Sequence, residues 1–132
     1  MQALIIEENM KKVHEFETYL ERNGISRVSV ANSIDFGIKQ LVNMFEINWP
    51  CDYLILGMNL PKETGNNILY ENGGLMVLKE IKKRKIPIKV IIVTDKEILD
   101  LKCCKDMKEI IDIIKYEPFE WQSKRFADAL EK

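Results

Sequence analysis

The sequence predicts a single α/β domain in which a parallel sheet carries helices on both faces. Three observations predict it. Strand-like and helix-like segments alternate five times along 132 residues, the pattern that a parallel sheet requires. Two strand-like segments, Ala3-Leu4-Ile5-Ile6 and 88–93, are apolar but for Lys89 near the start of the second, as strands buried on both faces are. The length suits one domain with a core that needs no disulfide or metal. The domain is expected to span 1–132, with one long loop at 62–72.

The first strand ends in Glu7-Glu8-Asn9, and Asn9 is placed to cap a helix. In that helix Val13, Phe16 and Leu20 recur at helical spacing and face the sheet. Gly24 is a natural stop. Residues 25–31 alternate apolar and polar, which suits a strand nearer the edge. Ser33 caps a second helix with Asp35 in its first turn. Its predicted apolar stripe is Ile34, Ile38, Leu41, Val42 and Phe45, and Asn48-Trp49-Pro50 breaks it.

The third strand, 53–56, stops at Gly57 and is followed by Pro61. The polar stretch 62–72 is rich in Asn and Gly, and loops this long are usually functional or mobile. A third helix starts near Gly73-Gly74, turns Leu75, Leu78 and Ile81 inward, and closes on Lys82-Lys83-Arg84-Lys85. The fourth strand ends at Thr94-Asp95, and a short helix is expected over 96–105. Ile110, Ile111, Ile113 and Ile114 form the fifth strand. Pro118 suits the first position of a last helix that packs through Phe119, Phe126, Ala129 and Leu130.

The net charge of −1 argues against nucleic acid and against an anionic membrane surface. No apolar run reaches the ~20 residues that span a bilayer. Strand-like sequence begins almost at once and leaves no room for a signal peptide. The three cysteines, Cys51, Cys103 and Cys104, follow no metal-ligand spacing. Reduced thiols in a cytoplasm are expected.

These residues together resemble the receiver domain of bacterial two-component response regulators, over essentially the whole chain. Ala3-Leu4-Ile5-Ile6-Glu7-Glu8-Asn9 is similar to the first-strand motif that ends in an acidic pair. The run from Asp52 to Pro61 is similar to the third-strand motif, whose phosphoacceptor aspartate lies four residues before a proline. Val90 to Thr94 is similar to the fourth strand with its hydroxyl switch residue. Glu117-Pro118-Phe119 is similar to the Lys-Pro-Phe motif after the fifth strand. The resemblance implies a flavodoxin-like three-layer (βα)5 sandwich with strand order 2-1-3-4-5.

The departures from the family pattern bear on function. Gly57 occupies the phosphoacceptor position and offers no carboxylate for an aspartyl phosphate. Asp52 opens the strand, on the far side of the sheet from the other motifs. The family's magnesium site also needs the missing carboxylate. Glu8, Glu7 and a backbone oxygen near Asn59 are what remain, so weak metal binding at best, through Glu8, is expected. Glu117 stands where the family has lysine and reverses its charge. Carboxylates gathered there without a cation raise at least one pKa. Lys62 or Lys115 would relieve this. Thr94 matches the switch hydroxyl, while Ile114 replaces the family's switching aromatic. Three losses point one way, to a degenerate or pseudo-receiver that does not work by aspartate phosphorylation.

The remaining chemical groups read as ordinary structure. His14 lies off the apolar face of its helix, and no nucleophile–base pair supports an enzyme. Tyr116, Trp121 and Arg125 are candidates for a partner-binding face. By resemblance that face also serves homodimers, through the fourth helix, fifth strand and fifth helix. The expected partner is a protein, a histidine kinase or another signalling protein. No cofactor is expected. Two alternatives stand beside this reading. One is a receiver that accepts phosphate on a non-standard carboxylate, Glu7, Glu8 or Glu63. The other is a flavodoxin-like small-molecule module, against which the acidic first loop argues.

Overall fold

A computed structural model of the chain describes residues 1–49, 51–95, 106–117 and 121–132, without the side chains of Trp121 and Gln122. The strands are β1 (Gln2–Ile6), β2 (Arg27–Ala31), β3 (Tyr53–Leu56), β4 (Leu60–Pro61), β5 (Leu69–Tyr70), β6 (Lys89–Thr94) and β7 (Ile110–Lys115). The helices are α1 (Met10–Arg22), α2 (Ile34–Glu46), α3 (Gly73–Arg84) and α4 (Trp121–Leu130). Five strands form one parallel sheet in the order β2-β1-β3-β6-β7. Counted along that sheet alone, this is the predicted 2-1-3-4-5.

Each central strand sends alternate side chains to opposite faces. Leu4, Ile6, Leu54, Leu56, Val90 and Ile92 pack with Ile34 and Leu41 of α2 and Val77, Leu78 and Ile81 of α3. Ala3, Ile5, Ile55, Ile91 and Val93 pack on the other face with Val13, Phe16 and Leu20 of α1 and with Phe126 and Ala129 of α4. The Tyr53 hydroxyl donates to the Leu130 carbonyl at 2.7 Å inside the second layer, tying α4 to β3.

The helix boundaries follow local chemistry. The Asn9 side chain accepts the Lys11 and Lys12 amides at the start of α1, and the Ser33 hydroxyl accepts the Phe36 amide at the start of α2. After α1 the chain turns through Gly24 at φ +83°, a left-handed conformation that glycine adopts without strain.

Four details differ from the sequence expectation. β2 begins at Arg27, and Ile25 is buried ahead of it. Phe45 is exposed, because the last turn of α2 borders an open cleft rather than the core. Val77 joins the inner face of α3, and Leu75 is only half-buried. The 62–72 stretch is not featureless, since β5 returns antiparallel onto β4. The expected helix over 96–105, Pro118 and Phe119 lie outside the described residues.

Candidate functional site

The carboxyl ends of β1, β3 and β6 converge, and β7 follows at the edge. In open α/β sheets this rim is where ligands sit. The structure brings Glu7, Gly57 and Thr94 to it from three adjacent strands. The Gly57 amide donates to the Ile6 carbonyl at 2.9 Å, which continues the β1–β3 ladder one step past β3.

Glu7 is the unusual member. It is 4% exposed and follows a strand that is apolar from Ala3 to Ile6. Its Oε2 accepts the backbone amides of Glu8 at 2.8 Å and Asn9 at 3.0 Å. Its Oε1 lies over Gly57. A Cβ added to Gly57 would overlap Oε1 and stand 3.1 Å from Cδ. Burial raises the Glu7 pKa, while the Asn9 amide, the Lys12 charge and the Glu8 amide pull it down. The charge of Glu8 is the smallest cause. The sequence expectation of a raised carboxyl pKa therefore holds in direction. Its cause is burial, not crowding by Glu117.

A cation reaches the rim from α1. Lys12 Nζ pairs with Asp95 Oδ2 at 2.7 Å, just after β6, and sits 4.5 Å from the centre of the Tyr116 ring. The Tyr116 hydroxyl donates to Glu15 at 2.9 Å. Burial and that carboxylate push the Tyr116 phenol up to about 12. Lys12 and Asp95 escape sequence reasoning because 83 positions separate them and no local pattern joins them.

The other predicted positions fall as follows. Glu8 is half-buried beside Glu7, and Asn59 is exposed in the turn between β3 and β4. Thr94 is buried at the end of β6, and its carbonyl accepts the Tyr116 amide at 2.8 Å. Ile114 is fully buried in the layer of Phe16 and Phe126, a core position rather than a movable one. Glu117 lies half-buried after β7.

Two partner-face candidates are engaged within the domain. Tyr116 holds Glu15 and Lys12, and Arg125 pairs with Asp112 at 3.0 Å. The side chain of Trp121 lies outside the described residues. His14 is exposed and stands 3.6 Å from Glu17.

The rim is a poor fit for magnesium. Among the described residues no group of three or more His, Cys, Asp or Glu side chains is placed to hold a metal ion. Octahedral oxygen coordination needs outward-facing carboxylates, whereas the Glu7 carboxylate is turned onto Gly57 and two backbone amides.

The long connection after β3 is held against the neighbouring corner. The Asp35 amide donates to the Lys62 carbonyl at 2.9 Å, and the Thr64 hydroxyl donates to Asn32 Oδ1 at 2.8 Å. Gly74, at the start of α3, donates its amide to the Met58 carbonyl at 3.1 Å. Any Cβ there would run into the Gly57 carbonyl, so glycine is what lets α3 approach β3 this closely.

At the opposite end of the sheet a half-open cleft of about 450 Å³ lies between the amino ends of the strands and the end of α2. Leu41, Phe45, Trp49, Cys51, Tyr53 and Ile88 are among the residues lining it.

No protein-family model matches the chain, and no curated protein matches it significantly. Solved structures do share its fold. A response regulator receiver domain from Clostridium thermocellum superposes with a TM-score of 0.67 at 23% identity, covering 98% of this chain and 94% of that one. The CheX–CheY–BeF3–Mg2+ complex of Borrelia burgdorferi gives a TM-score of 0.73 at 16% identity, covering 100% and 90%. The response regulator TrrA of Thermotoga maritima, in complex with Mg2+ and BeF, gives 0.67 at 17% identity, covering 98% and 99%. The chain therefore has the receiver fold.

Proposed function

We propose that this protein is a receiver-like signal-transduction domain of the two-component or phosphorelay type, one that acts through a protein partner without aspartyl phosphorylation. The observation that carries this reading is the end of β3. Gly57 stands there, four residues before Pro61, and the carboxylate of the inward-turned Glu7 lies against it. A phosphoacceptor must present an accessible carboxylate nucleophile, and Glu7 is 4% exposed with one oxygen already holding two amides. The shared fold supports the receiver part of the reading, but fold alone does not carry function.

The partner is a histidine kinase or another signalling protein, or a second copy of this chain meeting it through β7 and α4. Because Tyr116 and Arg125 already have partners inside the domain, such a contact uses their outer surfaces rather than free side chains. The setting is cytoplasmic, and the domain is not an enzyme. Among the described residues no helix is long and apolar enough to cross a membrane.

The test is incubation with magnesium and acetyl phosphate, and separately with beryllofluoride. Intact mass and backbone amide shifts are the readouts. The expected result is no adduct and no shift at Gly57 or Thr94. A base-labile phosphoryl adduct would overturn the reading, and its mapped carboxylate would identify the acceptor.

A further inference from the structure

We infer that Glu7 decides what this site accepts: its carboxylate, carried on β1, fills the place that a side chain at position 57 on β3 would take, and so closes the site to a phosphoryl group and to a divalent cation. The inference deepens the functional reading above, and it is drawn from packing at one point of the rim.

The space over Gly57 has room for one side chain. A Cβ on residue 57 would overlap Glu7 Oε1, stand 3.1 Å from Glu7 Cδ and lie 3.5 Å from the Ile6 carbonyl oxygen. The carboxylate is what fills the space, and the Ile6 backbone behind it is in ordinary contact. β1 and β3 are neighbours in register, Ile6 opposite Leu56, so residues 7 and 57 are the next pair along. Neighbouring strands lie about 4.8 Å apart. A glutamate spans that gap through its two methylenes, and a glycine opposite leaves the landing place empty. A long acid on one strand and no side chain on the next are thus two halves of one arrangement.

The carboxylate is also held in place. Swinging it out would give up two hydrogen bonds from the Glu8 and Asn9 amides to a carboxylate oxygen, and bonds to an ionised acceptor are stronger than those between neutral groups. A positive charge is supplied from within, because Lys12 acts on Glu7 while its Nζ pairs with Asp95. The site therefore carries its own anion and its own cation. An incoming phosphoryl group or cation meets a filled space.

A four-protein cycle tests this: the natural protein, Gly57→Ala, Glu7→Ala and the double variant, compared by thermal unfolding. Gly57→Ala alone is expected to lower Tm by roughly 5 °C through overpacking. In the Glu7→Ala background the same step is expected to cost nothing, because the methyl then has room. An equal loss with and without Glu7 would overturn the inference.

A second arm asks about closure directly. Gly57→Asp and Glu7→Ala/Gly57→Asp are titrated with magnesium and followed by amide shifts. The double variant is expected to bind at least tenfold more tightly than the single one. Equal binding, including none in either, would overturn closure. An additive cycle in a protein that takes no phosphate removes the role of Glu7 and leaves the phosphate-independent reading standing. A phosphorylated natural protein removes that reading whatever the cycle shows.

Discussion

The two ends of the sheet are built to opposite effect. At the carboxyl end, where the topology invites a ligand, the protein's own side chains take the room. Glu7 lies over Gly57, and Lys12 holds Asp95. At the amino end, where topology invites nothing, α2 runs past the strands and leaves a half-open cleft with Phe45 and Trp49 half out in water. Titratable groups at both ends are shifted chiefly by burial. Glu7 is buried with amides and a lysine opposing the cost of burial. The Cys51 thiol is pushed up to about 11, chiefly by burial, with a backbone hydrogen bond at Tyr53 opposing it. A strand order says where space can open in a fold; which side chains stand there decides whether it does.

The contrast predicts unequal sensitivity to truncation. Ile6, fully buried at the carboxyl end and packed against the Gly37 backbone, should show the largest effect. Ile6→Ala is expected to cost about 2–5 kcal/mol in urea unfolding. A cost under about 1 kcal/mol would mean that the rim collapses readily and is less tightly filled than described.

A middle-sized effect is expected from Glu7→Gln, and it depends on pH. The folded pKa of Glu7 lies above its ordinary value of 4.5. An acid of this kind contributes stability that is fully present below its unfolded pKa and lost as pH rises through the folded one. Glutamine removes that loss. The Tm of Glu7→Gln relative to the natural protein should therefore climb from pH 4 upward and level off once Glu7 is ionised in both states. A flat difference would show that Glu7 titrates normally and that burial is not its dominant influence.

The smallest effect belongs to the amino end. Phe45 is 44% exposed, and Phe45→Ala is expected to change stability by no more than about 0.5 kcal/mol. A loss comparable to that of Ile6→Ala would show the cleft to be closed in solution and would dissolve the contrast.

Much of the frame was legible before any coordinates. Asn9 and Ser33 announce helix starts because their side chains satisfy amides two or three residues on. The apolar runs announce central strands because both their faces are covered. What was not legible is long-range. The helical period of Phe45 is right, but the helix outlasts the sheet it packs on. The β4–β5 pair rests on Leu60, Pro61, Leu69 and Tyr70, too short a pattern to stand out within a polar stretch. The pairing of Lys12 with Asp95 leaves no trace in spacing. Glu7 and Gly57 did leave one: a glutamate closing the first strand and a glycine closing the third. Gly57 reads as a departure from the family pattern and Glu7 as part of a match to it, and only adjacency in the sheet joins the two.

The corner that holds the 62–72 stretch has an entropic side. A free loop costs more to close as it lengthens, though slowly. Here Lys62 and Thr64 are fastened to residues of the β2–α2 corner, and Leu69 and Tyr70 are paired back to β4. What is left to close is the apex at 65–68, where Gly65 takes a left-handed turn at φ +87° and the Asn66 side chain accepts the Ile68 amide. In chain statistics the stretch behaves as a turn of a few residues, so its length adds surface at the rim with little added disorder.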